Sequence, residues 1–146
     1  MKLHITQCVI FLLIIFSSKL YSQFPDTVWV DDDYNDSTLG WETTHFSVIQ
    51  EALNSVNNGG VVNLAAGNWN ENIEVRQGKK LIGAGVGQSI INGNAESYTV
   101  VIKDSGSVIK NMTLNNYGDN WDFELAVETG IEIVIENIHI IENGMI

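Results

Sequence analysis

The chain has almost no cysteine. Its single one, Cys8, sits inside an apolar leader, so whatever follows the leader has no disulfide and must hold itself by burial and hydrogen bonding. Basic residues are also scarce: seven Lys and Arg stand against 18 Asp and Glu, a net charge of −11. Every acidic residue lies after Gln23, whereas Lys2 and Lys19 lie before it. Nucleic acid is therefore not an expected partner, because phosphate binding needs clustered Lys and Arg. Such acidity suits a soluble extracellular surface, or one that takes up cations. Arg76, Lys79 and Lys80 form the one basic cluster. No apolar run reaches the ~20 residues that span a bilayer. His45 and His139 each lack a second His, Cys or nearby carboxylate at metal-binding spacing, so neither is expected to ligate or catalyse.

What is present begins with that leader. Lys2 and His4 give a weakly basic start, Val9–Phe16 is a short apolar core, and Ser17, Ser18 and Ser22 supply small polar residues. This is the pattern of a secretory signal peptide, with cleavage expected after Ser22. The expected organisation is a signal at residues 1–22, a strand, acidic loop and capping helix over residues 23–60, and repeats over residues 61–146. The expected location is secreted or cell surface, with no transmembrane segment once the signal is removed.

The repeats carry most of the information. VIKNMTLNNYG at Val108–Gly118 returns 26 residues later as VIENIHIIENG at Val134–Gly144, with Asn111 and Asn137 at equivalent places. A fixed period of this size means stacked supersecondary units. The units are short, β-branched and alternating: Val61–Leu64, Asn72–Val75, Leu81–Ile82, Ser89–Ile91, Thr99–Ile102, Val108–Lys110, Met112–Leu114, Leu125–Val127, Ile133–Ile135 and Ile138–Ile141. Three such strands per repeat predict one rung of an all-β, three-faced parallel β-helix, with alternate side chains filling the interior. Asn111 and Asn137 are expected at tight corners in the left-handed conformation, stacked as a short ladder, with Gly83 at the same corner one rung earlier.

One helix is predicted. Phe46, Ile49, Ala52, Leu53 and Val56 recur at helical spacing, Asn57–Gly60 stops the pattern, and Ser47 with Gln50, or else Thr44, is the expected cap. Its expected role is a lid on the first rung, as terminal repeats need. The opposite end shows no comparable device, and an unpaired parallel edge invites association. Further C-terminal rungs or a capping partner are therefore expected.

Segments VWVDDDYNDSTLGWETTHFSVIQEALNSV, GGVVNLAAGNWNENIEV and KKLIGAG resemble the start of secreted right-handed parallel β-helix proteins of the pectin-lyase-like superfamily, of the carbohydrate-associated repeat type. The likeness runs from about Val28 to Ile146 and implies the right-handed fold. It says little of activity, since that superfamily holds lyases, esterases, hydrolases and non-catalytic adhesins. Gly67-Asn68-Trp69-Asn70-Glu71-Asn72 resembles a segment of pectin methylesterases that turns the chain into the first complete rung, which is a structural task.

Two site patterns stand out. Asp31, Asp33, Asn35, Ser37 and Glu42 fall at ligand positions of a calcium-loop template; Asp36 replaces the template glycine, and the competing reading is a solvated turn. Calcium is the only cofactor suggested. Tyr117, Asp119, Trp121, Asp122 and Glu124 combine aromatic faces with carboxylates, as carbohydrate sites do; the competing reading is a loop packed on the rung below. The glycine-rich Gly83–Gly87 lacks the following helix that a phosphate loop needs. Asn35-Asp36-Ser37 and Asn111-Met112-Thr113 fit the glycosylation pattern. No catalytic residue is assigned. The functional expectation is a non-catalytic module that presents an elongated face to a glycan or protein. The alternative is the N-terminal portion of a polysaccharide lyase, esterase or hydrolase whose catalytic rungs lie beyond residue 146.

Overall fold

The computed structural model describes residues 24–94, 98–116, 125–128 and 132–142. The signal assigned to residues 1–22 and the aromatic loop at Tyr117–Glu124 lie outside them. The described residues form eleven strands and one short helix. In order these are β1 (Thr27–Val30), β2 (His45–Phe46), α1 (Ile49–Ser55), β3 (Val61–Leu64), β4 (Gly67–Asn70), β5 (Ile73–Val75), β6 (Lys80–Gly83), β7 (Ser89–Gly93), β8 (Val100–Ile102), β9 (Val108–Asn116), β10 (Leu125–Val127) and β11 (Val134–Glu142).

Every strand pairing among them is parallel. β2, β1, β3 and β6 stack in one column, which continues through Val108–Lys110 of β9 and Val134–Glu136 of β11. β4, β7 and the second halves of β9 and β11 make another, and β5, β8 and β10 a third. β9 and β11 join two columns because each bends at an asparagine: Asn111 has φ 59° and Asn137 φ 54°. The arrangement is compatible with a solenoid whose chain visits each column once per tier.

Alternation decides what fills the centre. Val28, Val62, Leu81 and Ile109 occupy one register position and are each 0% exposed. Trp69, Ile91 and Leu114 share a register position in the second column and Ile73 and Val100 in the third, none more than 3% exposed. Each fully buried aliphatic side chain contributes about 1.5–3 kcal/mol. The pattern ends at β11, where Ile135 is 45% and Ile140 44% exposed although their partners Ile109 and Leu114 are at 0%. Ile140 and its neighbour His139 are both exposed.

The five residues of the helical pattern are all buried together. Phe46, however, belongs to β2, and Val56 is the C-cap. The helix packs against β1, β2, β3 and β5. Gly83 occupies the corner register beside Asn111, as expected, but it is not left-handed. Glycine is needed there because an added Cβ would lie 2.2 Å from the Asn111 carbonyl oxygen. A second asparagine ladder runs outside the second column: Asn92 Nδ2 donates to Asn70 Oδ1, and Asn115 Nδ2 donates to Asn92 Oδ1, both at 3.2 Å. The expected pair is there as well, with Asn137 Nδ2 3.0 Å from Asn111 Oδ1. Among the described residues no helix is long and apolar enough to cross a membrane.

Candidate functional site: a polar groove beside the helix

A seven-residue helix is too short to persist in water on its own side chains. It begins at Val48, which makes no side-chain cap, so neither the Ser47–Gln50 box nor Thr44 closes it. The cap comes from Glu71, 22 residues downstream. Its Oε1 accepts from Ile49 N–H at 2.9 Å and its Oε2 from Gln50 N–H at 3.1 Å. A carboxylate there satisfies orphan donors and faces the positive end of the helix dipole. Burial pushes the Glu71 carboxyl above its ordinary value; the two N–H groups pull against that, and neighbouring Glu51 adds to the rise.

The other end is held by Lys79, whose Nζ donates to Leu53 O at 2.6 Å. Lys79 is only 6% exposed, and burial lowers its ammonium from the usual range. Between the two clasps, Gln50 reaches β5, the edge strand of its sheet. Gln50 Oε1 accepts from Glu74 N–H at 2.8 Å, and its Nε2 donates to Asn54 Oδ1 at 3.1 Å. A side-chain amide thus stands where another strand would pair, which protects the edge.

These contacts hold helix and strand apart around a groove of about 600 Å³. Six of its lining residues carry planar polar groups: Gln50, Asn54, Asn72, Glu74, Arg76 and Gln77. Lys79 adds a cation, while Leu53 borders the groove with its side chain turned into the core, 1% exposed. Gln77 has φ 59°, and its N–H donates to Asp104 Oδ2 at 2.8 Å, which fixes the turn carrying the basic residues. Arg76 Nε and Nη2 both bond Glu74 Oε2, at 2.9 and 2.6 Å. Planar amide, carboxylate and guanidinium groups can each bind two adjacent hydroxyls, and the volume suits a small ligand.

The calcium-template residues are only partly gathered. The carboxylates of Asp31, Asp32 and Asp33 lie within 4.8 Å of one another. Asp31 Oδ1 accepts from Asp33 N–H at 3.1 Å. Asn35 Oδ1 accepts both the N–H and the hydroxyl of Ser37, and Glu42 takes φ 54° in the turn before β2. Near this loop His45 stacks on Trp29, centroids 5.5 Å apart, and meets Tyr34 edge-on at 4.9 Å. Asn111 and Thr113 of the second glycosylation pattern lie within β9, with Thr113 1% exposed. Gly83–Gly87 leads into strand β7 rather than a helix. The candidate carbohydrate residues Tyr117, Asp119, Trp121, Asp122 and Glu124 lie outside the described residues. No protein-family model matches the chain, and no curated protein is significantly similar to it.

Proposed function

We propose that this chain is an exported right-handed parallel β-helix of the pectin-lyase-like type and serves as a glycan-binding module without catalysis of its own. Parallel columns joined by one-way connections support the fold, and such connections are right-handed in nearly all sheets. The groove beside α1 is the observation that carries the function. It gathers six planar polar side chains, the groups that can each meet two neighbouring hydroxyls on the rim of a saccharide.

Titration calorimetry of the purified protein against a panel of oligosaccharides tests this. A binder should emerge whose affinity falls about tenfold in Gln77→Ala, the loss of one good hydrogen bond. Absence of binding across neutral and acidic panels would sink the reading. Release of reducing ends or unsaturated products by the protein would replace it with the polysaccharide-degrading alternative.

A further inference from the structure

The hydrogen bonds inside the groove are used unevenly. Four of its side-chain acceptor oxygens are engaged, while Glu74 Oε1 and Gln77 Oε1 have no partner among the described residues. Asn54 Oδ1 takes the Gln50 amide at 3.1 Å, Asn72 Oδ1 takes the Asn94 N–H at 2.8 Å, and Gln50 Oε1 takes the Glu74 N–H at 2.8 Å. Glu74 Oε2 takes both bonds from Arg76. Its donors are largely unspent. Among the described residues, no partner engages the amide NH₂ of Asn54, the amide NH₂ of Asn72 or Nη1 of Arg76. Lys79 commits one of its three protons, to Leu53 O. These donors come from the helix, the segment before β5 and the turn after it, so they approach from different sides.

The charges point the same way. Arg76 and Lys79 both line the groove and Glu74 is its one carboxylate, already paired with Arg76. With neighbouring Lys80, outside the lining, the turn holds three of the seven basic residues in a chain of net charge −11, against the Asp104 carboxylate bonded to the Gln77 N–H. A donor-rich, locally cationic recess calls for a ligand that offers acceptors and negative charge. A carboxylate presents two oxygens in one plane. A sulfate or phosphate ester presents three terminal oxygens as a pyramid and can meet donors converging from several elements.

We infer that the groove seats a tetrahedral oxyanion, a sulfate or phosphate ester carried on the bound saccharide. The inference deepens the glycan-binding reading and rests on it.

The test compares four forms of one oligosaccharide by titration calorimetry near 0.15 M ionic strength, where long-range attraction is screened. The forms are unsubstituted, carboxylated, sulfated and phosphorylated. At least one ester should bind about tenfold or more tightly than the unsubstituted and carboxylated forms, and the preferred ester identifies the source. Arg76→Gln should remove the preference. So should Asn54→Asp, which keeps the size of an exposed side chain and reverses its sign. Lys110→Gln removes the same charge from the distant Lys110–Glu136 pair and should retain the preference. Equal binding of all four forms, or loss of the preference in Lys110→Gln, overturns the inference and leaves glycan binding standing. A carboxylated form that matches the esters overturns the tetrahedral assignment. If no form binds, both the inference and the glycan-binding reading fall.

Discussion

Glu71 Oε1 lies 2.9 Å from the Ile49 backbone nitrogen, so a carboxylate from the strand region closes a helix made 22 residues earlier. Glu71→Ala should therefore lower unfolding free energy by about 1–3 kcal/mol, the range for a lost cap with buried orphan donors. Urea denaturation measures it. Glu71→Gln should fall between, since an amide keeps one acceptor and sets a donor against the other N–H. Val48 already has N-cap dihedrals, φ −119° and ψ 126°. Adding Val48→Ser to Glu71→Ala should recover part of the loss through a local cap.

The same carboxyl predicts a pH effect with a definite sign. Its folded pKa is raised above 4.5, first by burial and then by Glu51, against the pull of two N–H groups. The folded state thus holds the proton more firmly than the unfolded chain. Its contribution is full below the unfolded value and declines as pH rises through the folded one. Thermal unfolding of the wild type against the non-titrating Glu71→Gln should show the difference moving against the wild type from about pH 4 upward. A difference that stays flat to about pH 7 contradicts this.

The ladder corner separates strain from hydrogen bonding. Asn111 has φ 59° and accepts the Asn137 amide at 3.0 Å. Both Asn111→Gly and Asn111→Ala lose the bond, about 0.5–1.5 kcal/mol. Alanine adds the left-handed penalty of roughly 1–2 kcal/mol, which glycine escapes. The glycine variant should be the more stable of the two in chemical denaturation, the reverse of the order in a strand interior.

Two glycines of one tier, Gly83 ending β6 and Gly87 in the turn before β7, should respond differently. A Cβ on Gly83 would sit 2.2 Å from Asn111 O and 3.0 Å from Ser89 Cβ. A Cβ on Gly87 meets nothing within 4 Å, and its φ of 73° is the sole penalty. Gly87→Ala should cost roughly 1–2 kcal/mol. Gly83→Ala should cost about 3 kcal/mol or more, because backbone must move to admit the methyl. Melting temperatures of the two variants check the order.

How much of this was legible depended on whether the partner has a sequence signature. Asn111 and Asn137 could be paired because their flanks repeat at one offset. The ladder Asn70–Asn92–Asn115 could not, since its steps are 22 and 23 residues across unlike loops. Phe46 fits the helical pattern because it shares a buried cluster with the helix, yet the chain bends between them. β4 was hidden in GNWN, which has little strand propensity and owes its conformation to pairing with β7. Glu71 was hidden more deeply: it binds backbone N–H groups, which every sequence supplies. The groove, likewise, arises from segments that only the clasped helix brings together.

Among the described residues, four links to asparagine side-chain oxygens between tiers run one way. Asn92 gives its proton to Asn70, Asn115 to Asn92, Asn137 to Asn111, and the Asn94 N–H to Asn72. In these four the later residue is the giver, whereas the Gln77 N–H gives forward to Asp104. Along these links each earlier asparagine offers its oxygen to the tier that follows, so a tier added to such a ladder needs to bring only an amide donor.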